Sequence, residues 1–298
     1  MCSAAHIIAS ARRMDWRTAR PAATPAAQSF LKLAAEVCPN ACPDAEAPVN
    51  PLEWQQDLQT LPVSVWAHKH LGFEPTPKQA EVLDSPSRNL ILCCHRKWGK
   101  TTVSAIKALH YLMSTPNRSI AILAPSMDQG GFIIANIVVA ANTLGVKYRR
   151  YLGRRHSLHF QNGSRIFALP HNTSTSLGSE ADVLMVDEAA KVSDDVLWAV
   201  QPSTSRKAAG LWMMSTPLRQ TGFFARIWHD QKQNVHRILS PVSDTPGINK
   251  EFLETFRRAS PTRYAQDFEC EFVKPDRQLV NVELFRRLKR VPSGPLKP

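Results

Sequence analysis

At 298 residues and 33.3 kDa the chain has room for one large α/β domain with a substantial core, and its 43% hydrophobic content excludes disorder throughout. Lys and Arg number 37 against 25 Asp and Glu, a net charge of +12 with a pI near 9.7, which points to a polyanionic partner; a basic surface kept for solubility accounts for the same excess. No apolar run approaches the ~20 residues needed to span a bilayer, and the expectation is a soluble, intracellular protein.

Residues 1–50 are rich in Ala and Pro without a sustained period and read as an extension, with one helix expected near 27–37. A domain over 51–275 follows, and 54–71 is a helical lead-in. Then Thr76 suits a helix N-cap, Pro77 the first turn and Gln79 the third position, a capping box. Gln79 stands open between that role and a hydrogen bond to the edge of an adenine.

The organising stretch comes next. An apolar run of strand length over 89–94 gives way to Val103, Ile106, Leu109 and Leu112 at helical spacing, and the period changes at Gly99-Lys100-Thr101. A loop at that junction aims backbone N–H groups and a helix dipole at one spot, a ready anion site. Lys100 can reach the outer phosphates and Thr101 can ligate magnesium. Cys94 occupies the place usual for the first glycine of G-x-x-x-x-G-K-[ST]. Gly-Lys-[Ser/Thr] alone arises by chance in about one chain in seven of this size, so the strand-to-helix placement carries the argument. Adjacent Cys93 and Cys94 inside that strand exclude a disulfide framework, and the pair Cys38 and Cys42 has no second pair for zinc.

A second buried strand is expected over 119–124 and its helix over 130–144, implying parallel pairing with right-handed crossovers. The basic passage Lys147, Tyr148, Arg149, Arg150, Tyr151, Arg154 and Arg155 suits either a phosphate backbone or a solvated sheet edge. Strands over 156–160 and 164–169 flank Asn162-Gly163 as a hairpin. A polar loop over 171–178 leads into Val183 to Val186 ending in Asp187 and Glu188, two carboxylates at the C-terminal end of a buried strand, where α/β sheets bind ligands. Asp187 would hold the magnesium shell and Glu188 would polarise the attacking water. Beyond lie a helix at 194–201, a strand at 211–217, a helix at 223–230, a strand at 237–239 and helices at 250–258 and 263–269. Ser215 and Thr216, at a strand tip, either sense the terminal phosphate or close a turn. The tail over 276–298 is basic.

Over about residues 73–273 the chain resembles the ATPase domain of phage terminase large subunits. The likeness rests on Gln79, the loop CHRKWGKTT, the element DVLMVDEAAKV, the segment LWMMSTPLRQTGFFARIW and RYAQDFECEF. It implies a P-loop NTPase of the additional-strand type: an α/β fold with a mostly parallel sheet, helices on both faces and a β-hairpin insertion, in which a further strand separates those bearing Gly99 and Asp187. It also implies ATP and Mg2+ held by Gln79, Cys94, His95, Arg96, Lys97, Trp98, Gly99, Lys100, Thr101 and Thr102. In that likeness Arg96 is a charge-stabilising or coupling arginine, Thr101 and Asp187 are the metal residues, Glu188 and Lys100 are catalytic, and Ser215 and Thr216 couple hydrolysis to movement. Double-stranded DNA, a homo-oligomeric ring at a portal, a small terminase subunit, no membrane and the bacterial cytoplasm complete the implication.

Two departures stand out. Leu177 precedes Gly178 where the family commonly has arginine, and arginine fingers contribute ~10³–10⁵ in rate in related enzymes. The 25 residues after Val273 (298 − 273) are too few for the RNase H-like nuclease of ~100 residues that normally follows, so no nuclease activity is expected. The leading expectation is therefore a magnesium-dependent ATPase driving DNA translocation, against a helicase-like translocase or a non-catalytic nucleotide- or DNA-binding remnant.

Overall fold

A computed structural model describes residues 51–151, 156–169, 180–200 and 209–273. Helices α1 (Pro51–Asp57) and α2 (Val63–Leu71) precede α3 (Pro77–Asp84) and β1 (Asn89–Cys94). Then come α4 (Lys100–Ser114), β2 (Ser119–Leu123), α5 (Met127–Thr143), β3 (Tyr148–Tyr151), β4 (Ser157–Phe160), β5 (Arg165–Ala168) and β6 (Val183–Asp187). The described chain closes with α6 (Asp194–Val200), β7 (Gly210–Ser215), α7 (Phe223–His229), β8 (His236–Ser240), α8 (Lys250–Ala259) and α9 (Pro261–Asp267). The extension 1–50, the loop 171–178 with Leu177, and the tail 276–298 lie outside the described residues.

The strands form one sheet in the order β3-β4-β5-β2-β6-β7-β1-β8. From β5 to β8 every neighbour pair is parallel, while β3, β4 and β5 pair antiparallel. The further strand implied by the resemblance is β7, which lies between β1 and β6. Strand alternation divides the core in two. Leu90, Leu92 and Cys94 of β1 and Val183 and Met185 of β6 face the helices α1 to α5, whereas Ile91, Cys93, Leu184 and Val186 face α6 and α7.

Local chemistry explains the boundaries. The lead-in over 54–71 is two helices rather than one, because Pro62, which has no N–H to donate, stands at the N-cap of α2. Helix α5 starts three residues earlier than its apolar period suggests, at Met127, where the Ser126 hydroxyl accepts the Gln129 N–H. Its Gly130 permits close packing, since a Cβ there would sit 3.1 Å from Cβ of Ala168 on β5. Asn162 and Gly163 close the β4–β5 hairpin as expected, with Gly163 at φ 82°. The basic passage contributes an edge strand, β3, whose Arg149, Arg150 and Tyr151 are exposed and whose Tyr151 packs on His159 with ring centroids 4.9 Å apart.

Candidate active site

The loop between β1 and α4 is built on a fixed backbone. Lys97 (φ 65°) and Gly99 (φ 98°) are left-handed, and a Cβ at Gly99 would come within 3.1 Å of Gln79 Nε2, so glycine answers both demands there. Cys94 is the last residue of β1, in extended backbone with its side chain fully buried in the core. No positive φ is asked of that position, which is the physical reason the usual first glycine is dispensable. Burial also raises the Cys94 thiol pKa, keeping it protonated and apolar in behaviour.

Four anchors hold the loop. The His95 N–H donates to the Ser240 carbonyl (3.0 Å) and the Arg96 N–H to the Asp267 carbonyl (2.7 Å). Trp98 Nε1 donates to Ser240 Oγ (2.8 Å), and Gln79 Nε2 donates to the Trp98 carbonyl (2.8 Å). The His95 ring donates from Nδ1 to the Arg96 carbonyl (2.7 Å) and accepts the Thr245 hydroxyl at Nε2 (2.8 Å). Burial lowers its pKa, in keeping with this neutral tautomer. The backbone N–H groups of Lys97 and of Gly99 to Thr102 donate to no main-chain carbonyl among the described residues, which leaves a donor array that could serve as an anion nest.

Opposite stands the acidic tip of β6. Glu188 holds φ 48°, ψ 44°, a left-handed conformation rare for a side chain of its kind and typical of functional turns. Its Oε1 lies 3.6 Å from Lys100 Nζ and its Oε2 lies 3.2 Å from Lys191 Nζ. Lys100 also donates to Thr216 Oγ1 at 3.3 Å, so one ammonium joins the loop helix, the acidic tip and the end of β7. Burial alone would lower the Lys100 pKa, but the Glu188 and Asp187 carboxylates around it more than offset that and hold it above its usual value. Ser215 is fully buried; its Oγ accepts the Ala190 N–H (3.1 Å) and donates to the Thr216 carbonyl (2.8 Å), which fixes the turn after Glu188.

Asp187 is 6% exposed, and its Oδ1 has no hydrogen-bond partner among the described residues. Burial first, and the neighbouring Glu188 next, raise its carboxyl pKa to about 6. A buried carboxylate oxygen without a donor costs free energy unless a cation or donor meets it. No cluster of three or more His, Cys, Asp or Glu suited to a metal exists among the described residues. Thr101 lines the cleft, while Asp187 lies buried at the strand end next to Glu188, which lines it; one carboxylate and one hydroxyl would suit Mg2+, which keeps several waters and leans on substrate phosphates, rather than an all-protein cage.

Loop and tip face each other across a cleft of about 580 Å3 whose walls include residues 96–102, Glu188, Lys191 and 216–218. Its third wall is α9, through Arg263, Gln266 and Asp267. Asp267 is nearly buried and its Oδ2 lies 3.2 Å from Arg96 Nη1. Of the residues read from the sequence as nucleotide contacts, Arg96, Lys97, Trp98, Gly99, Lys100, Thr101 and Thr102 line the cleft. Gln79, Cys94 and His95 do not. Gln79 makes the complete capping box with Thr76 and spends its amide on Thr76 N and the Trp98 carbonyl, so it braces the loop from behind. Cys94 and His95 face the interior. The residues missed are Lys191 and the three on α9; only the i, i+3, i+4 spacing of Arg263, Gln266 and Asp267 hinted that they share a face.

The family model for the N-terminal part of terminase large subunits of the T4-like-virus type matches residues 95–287. The large terminase ATPase domain of Thermus phage P74-26 superposes with a TM-score of 0.63 at 20% identity, covering 72% of this chain and all of that one. The large terminase of another thermophilic bacteriophage gives 0.57 at 16% identity over 65% of this chain, and the match takes in 53% of that protein. No curated protein matches. The described residues contain no helix long and apolar enough to cross a membrane. With 193 of its 298 residues inside the family model and the same mostly parallel fold, this chain belongs to the terminase large subunit family.

Proposed function

We propose that the cleft binds and hydrolyses ATP, as the ATPase part of a DNA-packaging motor. The observation that carries this is the meeting of Lys100 Nζ with Glu188 Oε1 at 3.6 Å, which brings the phosphate loop and the acidic strand tip to one point. The second of the two phage terminases above, solved in complex with ADP and with ATP-γ-S, supports the reading by fold. The triphosphate lies along the N–H groups of Lys97 and of Gly99 to Thr102 with its terminal phosphate at Lys100. That anion draws Lys100 away from Glu188 and leaves the carboxylate free to accept a hydrogen bond from water. The water oxygen bonds to the γ-phosphorus as the bond to the β–γ bridging oxygen breaks, ADP leaves, and the water proton passes by way of Glu188 to solvent. Positioning and fixed charge lower the barrier, with no covalent intermediate on the protein. Thr101 and Asp187 hold Mg2+, which supplies charge neutralisation on the phosphates. Thr216, bonded to Lys100, and Ser215, which fixes the turn after Glu188, pass the state of the terminal phosphate to β7.

The partner in this reading is double-stranded DNA, held through the basic surface to which Arg149 and Arg150 on the β3 edge belong, with binding that weakens steeply as salt rises. A ring of copies at a portal with a small terminase subunit, in the cytoplasm of a bacterial host, is the working assembly. ATP turnover with and without duplex DNA, in the wild type and in Glu188→Gln, tests the proposal. Turnover that falls in the variant while ATP still binds is the expected result. Equal turnover in the two proteins, or normal ATP binding by Lys100→Ala, overturns it.

A further inference from the structure

We infer that α9 supplies a phosphate-binding residue, Arg263, to the nucleotide cleft from the wall tied to the loop through Asp267. This rests on the ATPase reading above and extends it to a part of the chain far from the motifs. Arg263 and Asp267 are one helical turn apart, so they share a face, and both line the cleft. Asp267 sets that face against the loop, because its carbonyl accepts the Arg96 N–H at 2.7 Å while its carboxylate holds the Arg96 guanidinium at 3.2 Å. The wall is thus tied to the phosphate loop by main chain and side chain together.

Charge balance in the cleft singles out Arg263. Glu188 takes up Lys100 and Lys191, and Asp267 takes up Arg96. Lys97 and Arg263 have no carboxylate partner among the described residues. Lys97 already belongs to the loop, held in its left-handed turn; Arg263 stands exposed on the α9 wall with no side-chain hydrogen bond among the described residues. A triphosphate entering the cleft meets one uncompensated cation on the loop and one on α9, and the planar guanidinium fork can span two phosphate oxygens where an ammonium meets them as a point charge. Bound nucleotide then bridges the loop to α9, so the position of α9 depends on whether phosphate is present.

Equilibrium binding of ATP and of inorganic tripolyphosphate, both with Mg2+, tests this in the full chain and in R263A, R263K, R258A and K100A. R263A is expected to weaken both ligands by about 10- to 100-fold, the loss of one charge-assisted contact, and R263K to recover only part of it. R258A removes a cation from the adjoining helix α8, where it pairs with Glu254 at 3.3 Å, and should stay within about twofold because solvent and salt screen it. If R263A binds both ligands as the wild type does while K100A abolishes binding, the α9 assignment falls and the site stands. If K100A also binds normally, the ATPase reading itself falls. A loss that R258A shares equally reduces Arg263 to bulk charge and overturns the assignment. Thermal midpoints check that each variant folds, and R263Q in the same assay decides the matter should R263A be unstable.

Discussion

Helix α4 carries two largely buried lysines seven residues apart, and they behave in opposite ways. Lys100, with 10% of its side chain exposed, meets the Glu188 carboxylate and the Thr216 hydroxyl and keeps its pKa above the usual value. Lys107, 8% exposed, meets the carbonyls of Leu83 and Ser85 at 3.0 Å each and lies 5.2 Å from the centre of the Trp212 ring. Burial pushes its pKa down to about 8. Similar burial on one helix gives opposite shifts because the neighbours differ: carboxylates stabilise the ammonium, whereas two carbonyls and a ring only partly replace its lost hydration. In the proposed reading the first lysine belongs to the chemistry. The second clamps the end of α3 to α4.

Glu188→Gln should give the largest effect, since it removes the carboxylate and makes the surroundings of Lys100 resemble those of Lys107. Steady-state ATPase assays are expected to lose about 10²–10⁴ in turnover with nucleotide binding retained. Next, Lys100→Ala should weaken ATP by about 100-fold or more by calorimetry while leaving the denaturation midpoint nearly unchanged. Lys107→Met reverses that pattern. Chemical denaturation should show a loss of about 2–4 kcal/mol, because two buried carbonyls lose their donor, with ATP affinity held within about twofold.

Two pH effects sharpen the contrast at smaller scale. The folded-state pKa of Lys107 is depressed, so its contribution to stability is full above its unfolded value near 10.5 and is lost as pH falls through about 8. The stability deficit of Lys107→Met should therefore widen as pH is raised from about 7 to about 10 in the same denaturation assay. Asp187 runs the other way. Its pKa is raised from 3.8 to about 6, so its contribution is full below its unfolded value and is lost as pH rises through about 6. Without metal, Asp187→Asn should melt above the wild type at about pH 7.5, and the gap should shrink as pH falls below about 6 and close only near its unfolded value of 3.8.

Much of this site is readable before the chain folds. The change from strand to helical period at Gly99 places Lys100 at a helix start, and four apolar residues ending in Asp187 and Glu188 place acids at a strand end. Both are local consequences of side-chain period and steric preference. Gln79 is legible only as a choice between two roles, and both of its amide atoms are engaged, in the capping box and at the Trp98 carbonyl. The β3 edge is legible only as one of two readings of the basic passage, because Tyr148, Arg149, Arg150 and Tyr151 lack the alternation of a half-buried strand, as an edge protected by charge commonly does.

What the amino-acid order settled by itself is most of the elements: which runs are buried strands, where the capping box starts α3, and which loop joins a strand to a helix at Gly99. Those features depend on residues within a few positions of each other. The 3.6 Å approach of Lys100 to Glu188, the insertion of β7 between β1 and β6, and the arrival of α9 at the cleft were decided by the tertiary structure alone. They join residues dozens to well over a hundred positions apart, and such contacts follow from strand order and the packing of two helical layers, which no local period encodes.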